Sequence, residues 1–254
     1  MVDIGRAFAV SQPPYRVIGE PKRGSVLIVG DHASNHVPDN IDLKIDQALF
    51  DEHIAWDIGV AAVSELMVAK ADYTAFLGNV SRLVVDLNRY ADEPGAVPDH
   101  SDGIMIVANR LSQTDRAARL QSYYHPYHDR LAQILDQQRP SLILSLHSFT
   151  PSLQSRPDER RPWEIGVLYN EHEVASKLAI GYLETRSLIV GDQLPYSGKH
   201  LNATMNRHAE SNRIPYAGIE MRQDMVADTE GQERFAQILT DMCHFVSEEL
   251  GLMA

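Results

Sequence analysis

Cysteine is the scarcest reactive residue in this chain: Cys243 stands alone among 254 residues. A lone thiol excludes an internal disulfide and any multi-cysteine metal cluster. Long apolar runs are missing too. None approaches the roughly 20 residues that a membrane-spanning helix needs. Positive charge is in deficit, with 23 Lys and Arg against 35 Asp and Glu and a formal net charge of -12. That balance argues against nucleic acid as a partner, because phosphate binding needs a basic face. It is compatible with a small anionic substrate, since a few buried arginines outvote a distant acidic surface. The opening segment, Met1 to Arg6, has no basic stretch leading into an apolar core. No signal peptide is expected, and the cytoplasm is the simplest location. Three catalytic signatures are also absent: the Gly-x-Ser-x-Gly elbow, His-Glu-x-x-His, and a Gly-rich phosphate loop ending in Lys-Ser/Thr. No internal repeat, low-complexity tract or interdomain linker stands out.

What the chain does contain is ordinary for a globular protein, with 44% hydrophobic and 23% charged residues. Pro13, Pro14 and Pro21 mark residues 1–23 as an irregular leader, and residues 24–254 read as one domain. Val26 to Val29 run apolar without alternation, which suits a strand buried on both faces, and then break at Gly30-Asp31-His32. Residues 45–70 read as a helix, with Phe50, Ile54, Asp57 and Ala61 on one stripe. A carboxylate on an apolar stripe is costly unless it is paired, hydrogen-bonded or bound to a metal. Residues 81–89 read as a strand with polar ends, and residues 91–110 as a long loop. A helix over 111–138 is expected to kink or break at Pro126, where Tyr124-His125-Pro126-Tyr127-His128 reads as packing and hydrogen bonding. Ser141 to Thr150 repeats the opening design, an apolar run ending in His147. A loop over 151–162, a strand over 163–169, a helix over 171–185, a short strand over 187–190, a strand over 216–224 and a closing helix over 231–250 follow. Strands alternating with helices predict an α/β fold around a mainly parallel sheet flanked by helices.

The polar residues at strand exits are His32, Arg82, Asn88, Arg89, His147 and Glu220, with Asp57 close after the first strand. Open α/β sheets bind ligands at the carboxyl ends of their strands. Two imidazoles and a carboxylate make a three-ligand zinc set that leaves a position open. A further carboxylate can act as general base, and arginines can stabilise an oxyanion or grip a carboxylate bidentately. Ser34 and Ser148 each neighbour one of these histidines and offer a serine-nucleophile alternative, although a hydrogen-bonding role is the more economical one.

Five motifs, in order, resemble the N-formylglutamate amidohydrolase family: Asp31-His32-Ala33-Ser34-Asn35, His53-Ile54-Ala55-Trp56-Asp57, the run from Ser81 to Arg89, His147 to Pro151, and Ile219 to Asp224. The family is similar to zinc carboxypeptidases and aspartoacylases, with a phosphorylase/hydrolase-like three-layer fold. The resemblance implies a metal-dependent amidohydrolase of N-acyl amino acids, with N-formyl-L-glutamate as best guess and zinc as cofactor. It implies His32 and His147 as metal ligands, Arg82 as oxyanion stabiliser and Glu220 as general base. Asn88 and Arg89, with Arg222, would hold substrate carboxylates. One position departs from the wider pattern, because His-x-x-Glu is replaced by His32-Ala33-Ser34-Asn35. Neutral Asn is a poor zinc ligand, and Asp57 is the expected replacement. Asn35 leaves a noncatalytic binding protein with a degenerate metal site as one alternative, and the pocket loops over 91–110 and 151–162 leave the same chemistry on another N-acyl amino acid or small peptide as the other.

Overall fold

The computed structural model describes residues 12–252. Among these, seven strands form one sheet in the order β1-β3-β2-β6-β9-β7-β8. They are β1 (Tyr15–Ile18), β2 (Val26–Gly30), β3 (Thr74–Gly78), β6 (Leu142–Phe149), β7 (Ile165–Leu168), β8 (Val190–Asp192) and β9 (Tyr216–Arg222). A separate two-stranded hairpin, β4 (His100–Ser101) and β5 (Ile104–Met105), lies in the expected loop over 91–110. The neighbours β3, β2, β6 and β9 run parallel, β1 and β7 join antiparallel, and β8 runs parallel to β7. The α/β class with a mainly parallel sheet is therefore the observed one.

Period-two alternation along the strands divides the core into two layers. Val26, Ile28, Leu142, Leu144, Leu146, Ala217, Ile219 and Met221 pack on one face, under α1 (Val60–Lys70), α4 (Val174–Glu184) and α6 (Thr229–Glu249). Leu27, Val29, Ile143 and Tyr216 point the other way. That second layer is covered by turns and by α2 (Gln113–Arg119), α3 (His125–Gln137) and the short α5 (Ala203–Met205). His147 and Glu220 fall on the second face by the same alternation, and they are register partners on β6 and β9. Sheet pairing alone thus sets these two side by side.

Several elements differ from the sequence reading. Of the expected leader, residues 1–11 lie outside the described residues, while Tyr15–Ile18 pairs with β3 as an edge strand. Strand β3 itself was not anticipated. The expected helix over 45–70 is a 3-10 turn at Gln47–Asp51, a run of turns, and a helix only from Val60. Gly59 enforces that late start: its φ is +85°, and a Cβ there would lie 2.6 Å from Val226. The expected strand over 81–89 is a chain of turns. Ser81 Oγ accepts from Leu83 N and donates to Ala55 O, and Val84 N donates to Ser81 O, so these groups are spent before a ladder can form. The Leu83-Val84-Val85 run fills the second layer as a buried turn. Pro126 does not break the helix. A widened π-turn over Leu120–Tyr124 precedes it, and the helix continues as α3.

Gly78 ends β3 against the carbonyl of Asp31, where a Cβ would collide with backbone that cannot move aside. Gly78→Ala is expected to cost about 1–3 kcal/mol of stability. In α4, Gly181 has open space around it, and Gly181→Ala should gain about 0.5–1 kcal/mol. Denaturant midpoints of the two variants check the contrast, and equal effects would contradict it.

Candidate active site

β2 and β6 are adjacent and parallel, so their exits deliver His32 and His147 to the same end of the sheet. Asp57 reaches the same place from the turn before α1, where its backbone N–H donates to His32 O at 2.8 Å. Ser148 Oγ donates to Ile58 O at 2.8 Å and ties that turn to the end of β6. Three distant segments therefore meet through backbone contacts before their side chains interact.

The side chains form a buried ring. Asp57 Oδ2 lies 2.8 Å from His147 Nδ1 and 3.4 Å from His32 Nδ1. Behind each imidazole stands a second carboxylate. His32 Nε2 is 2.8 Å from Asp86 Oδ1, and His147 Nε2 is 3.3 Å from Asp31 Oδ2, near enough to attract but poorly aligned for a hydrogen bond. Both rings consequently turn Nδ1 toward Asp57. Asp31 is held in turn by Tyr127 Oη at 2.8 Å and Thr204 Oγ1 at 2.9 Å, each donating to Oδ1. Arg82 spans the ring, donating to Asp57 Oδ1 at 3.2 Å and Asp86 Oδ2 at 2.9 Å.

Burial opposes ionisation of Asp57, but His32, His147 and Arg82 outweigh it and hold the carboxyl below the usual range. Asp86 is held well below that range against the same opposition, by His32 and Arg82. Burial and Arg82 work against a charge on His32, yet Asp86 and Asp57 raise its pKa. Glu220 behaves differently. Burial pushes its carboxyl up to about 7, with His147 pulling down and Asp57 pushing up. Its Oε2 has no hydrogen-bond partner among the described residues.

These groups line one cavity of about 140 Å³ that contains His32, Asp57, Arg82, His147 and Glu220. Asn88 and Arg89 line it as well. Arg222 does not join them. It is not among the residues that line the cavity, and its guanidinium lies on Asp224 at 2.7 Å and on the carbonyl oxygens of Pro162 and Trp163. Period two puts it on the face of Glu220, but β9 ends there and the side chain turns to the following 3-10 turn. Asn35 is also elsewhere, donating to Phe50 O at 3.0 Å beside a different surface hollow. The hydroxyls of Ser34 and Ser148 are committed to backbone, one accepting from His36 N and the other donating to Ile58 O. Among the described residues, sequence reasoning missed Asp31, Asp86, Tyr127 and Thr204 as supports, and Tyr196 and His53 as cavity walls. Asp31 had a visible signal, standing directly before His32 at the strand exit.

Ligand-capable atoms of His32, Asp57 and His147 all lie within 4.8 Å of one another. His32 Nδ1 is buried without a hydrogen-bond partner. Two imidazoles and one carboxylate, each imidazole backed by another carboxylate, fit a divalent metal, since such backing fixes the ring and raises its basicity. The residues present therefore fit a metal ion. Deeper in the fold, His128 Nε2 is 3.0 Å from Leu87 O and its Nδ1 is 2.9 Å from His208 Nε2. The carbonyl can only accept, so His128 Nε2 carries the proton and His208 Nε2–H donates to His128 Nδ1.

A sequence model described as N-formylglutamate amidohydrolase matches residues 24–227. The crystal structure of a gene product from Agrobacterium tumefaciens superposes with a TM-score of 0.89 at 29% identity, covering 94% of this chain and 97% of the other. An N-formylglutamate amidohydrolase from Ralstonia eutropha JMP134 superposes with a TM-score of 0.73 at 17% identity, covering 94% of this chain and 98% of the other, and so shares the fold. No curated protein matched by sequence.

Two expectations follow. Asp57→Ala should abolish tight binding of zinc, and Asp31→Asn should weaken it by roughly 10–100-fold. Competition with a chromophoric chelator measures both, and full metal occupancy in Asp57→Ala would contradict the ligand set. Burial, with His208 and Arg207 nearby, depresses His128 to about 3, and burial with Arg207 depresses His208 to about 4. The unfolded chain therefore binds protons below about 6.5 that the folded one refuses. Stability from this pair is present above that pH and is lost as pH falls toward 4 and 3. Denaturant midpoints should decline over this window in the wild type, and less steeply in a His128→Gln/His208→Gln variant. Identical slopes would contradict it.

Proposed function

The chain belongs to the N-formylglutamate amidohydrolase family, hydrolases of C–N bonds other than peptide bonds, and from that premise we propose metal-dependent hydrolysis of the amide of an N-acyl amino acid, with N-formyl-L-glutamate as the reference substrate. The observation that carries this reading is the meeting of His32, Asp57 and His147 in one buried cavity beside Glu220. The chemistry that a divalent cation, zinc first, would supply when held by these three residues is Lewis-acid polarisation of the acyl carbonyl and acidification of water. Everything else is the work of this chain's own side chains.

Glu220 is the general base. A carboxyl pushed up to about 7 is matched to taking a proton near neutrality and giving it back. Its Oε2 takes the proton from the attacking water as that water adds to the acyl carbon. The same oxygen then delivers the proton to the amine nitrogen as the C–N bond breaks, so acid and amine leave with the proton count balanced. Arg82 is fixed by two carboxylates and keeps a permanent positive charge, which supports its role in stabilising the oxyanion of the tetrahedral stage. Asn88 and Arg89 hold the substrate carboxylate at the rim of the cavity. Burial of the ring excludes bulk water and strengthens each of these interactions.

The noncatalytic reading rested on Asn35. Asn35 on the Phe50 carbonyl and Asp57 beside both imidazoles support the catalytic reading instead. A cytoplasmic location fits the lone buried Cys243 and the absence of any membrane-spanning helix among the described residues.

Glu220→Gln is expected to lower kcat for formate release about 10²–10⁴-fold with metal content unchanged. Dialysis of the wild type against a chelator should abolish turnover, and zinc should restore it. A Glu220→Gln protein with wild-type turnover, or activity indifferent to chelation, would contradict the mechanism.

A further inference from the structure

The cleft has two chambers that share Arg82, Asp86 and Arg89. One holds the imidazoles and Glu220. The other is larger, about 250 Å³, and is walled by Ile54, Leu83, Pro94 and Pro98, with Asp99 at its side. An amino-acid side chain has to lie in one of them once the amide is at Glu220 and the carboxylate at Arg89. The second chamber has the room.

Charge decides what that side chain is. Arg82 is paired with Asp57 and Asp86 through its two terminal nitrogens, and its remaining donors are assigned to the oxyanion. His53 Nε2 faces Asp102 at 3.0 Å. Arg161 is buried behind Tyr196, donating to its hydroxyl at 2.8 Å and to Thr150 O. Arg222 is on Asp224. At the second chamber, Asp99 pairs with His100 at 2.7 Å, and Arg110, 3.6 Å from Asp99, is not among the lining residues. Arg89 alone is left among the described residues that line these chambers. Among the described residues its one ion-pair partner is Asp86, at 4.0 Å, and its side chain is 29% exposed. Next to it, Asn88 Oδ1 accepts from Thr204 N at 3.0 Å, so the uncommitted end of that carboxamide is its N–H₂ donor. One guanidinium and one amide donor make a clamp for one carboxylate.

A second carboxylate, such as a glutamate side chain, would enter a chamber of apolar walls and acidic neighbours without a free cation. It would lose water with nothing in exchange. We infer that this enzyme selects N-acyl amino acids carrying a single carboxylate, with an uncharged side chain seated between Pro94, Pro98 and Ile54. The inference rests on the amidohydrolase reading and departs from N-formyl-L-glutamate as the preferred member of the class.

Formate release by the zinc-loaded full chain tests it with N-formyl-L-glutamine, N-formyl-L-leucine and N-formyl-L-glutamate, the first and last nearly isosteric. The expected kcat/KM for the two uncharged side chains exceeds that for glutamate by about tenfold or more. Asp99→Asn should narrow the glutamine-to-glutamate ratio several-fold, because it removes the acidic neighbour from that wall. Equal or better turnover of N-formyl-L-glutamate overturns the selection while leaving the hydrolase reading intact, and a ratio unmoved by Asp99→Asn overturns the placement of the side chain. Calorimetric binding of the same three compounds to Glu220→Gln separates the two failures. The same affinity order without formate from the wild type sinks the hydrolytic reading and keeps the selection, whereas binding of none of them sinks both.

Discussion

A single carboxylate, that of Asp57, stands between two imidazoles and a guanidinium, and the rest of the site is built to keep it there. An ionised group with 3% exposure survives only if its surroundings repay its lost hydration. Around it lie Asp31, Asp86 and Glu220 on one side of the balance and Arg82 and Arg89 on the other, with His32 and His147 between. Four carboxyl groups outnumber the two guanidinium groups, and the same carboxylates raise the pKa of His32 and of His147, so that protons on the imidazoles balance the site. A divalent cation held by His32, Asp57 and His147 would supply that balance in place of the protons, because bound metal ions are commonly the largest local charges in such sites.

The sheet makes this arrangement possible at low entropic cost. Parallel pairing of β2 with β6 and of β6 with β9 aligns three strand exits. Alternation then sends His147 and Glu220 to the same face, while the intervening residues fill the opposite layer. Support comes from the second layer. Tyr127 on α3 and Thr204 on α5 fix Asp31, and Ser148 and Gly59 fix the Asp57 turn. The helices on that side therefore serve the chemistry as well as the packing.

His32, His147 and Glu220 were legible because each ends a run of buried strand, and a titratable residue in that position departs from the pattern around it. Asp57 is buried, as its place on an apolar stripe predicts, but the helix expected around it does not begin until Val60. Its true setting is a turn fixed by Gly59. The run from Arg82 to Arg89 misled in the opposite sense: β-branched, apolar residues read as strand, whereas Ser81 captures the backbone into turns. Arg222 shows the limit of period-two reasoning, which holds only while the strand continues. Asp31, Tyr127 and Thr204 are separated by 96 and 173 residues along the chain, so their convergence has no local periodicity to announce it. Asn35 looked like a defect in the metal site, and in the fold it only braces the 3-10 turn.

The ring of Asp57, His32 and His147 as a metal-holding centre is tested most directly by X-ray absorption at the zinc edge on the loaded full-length protein. The expected spectrum shows one zinc per chain with two imidazole shells and oxygen completing the coordination, at roughly 2.0–2.2 Å. Zinc without imidazole scattering, or a chain that binds no zinc, would contradict it.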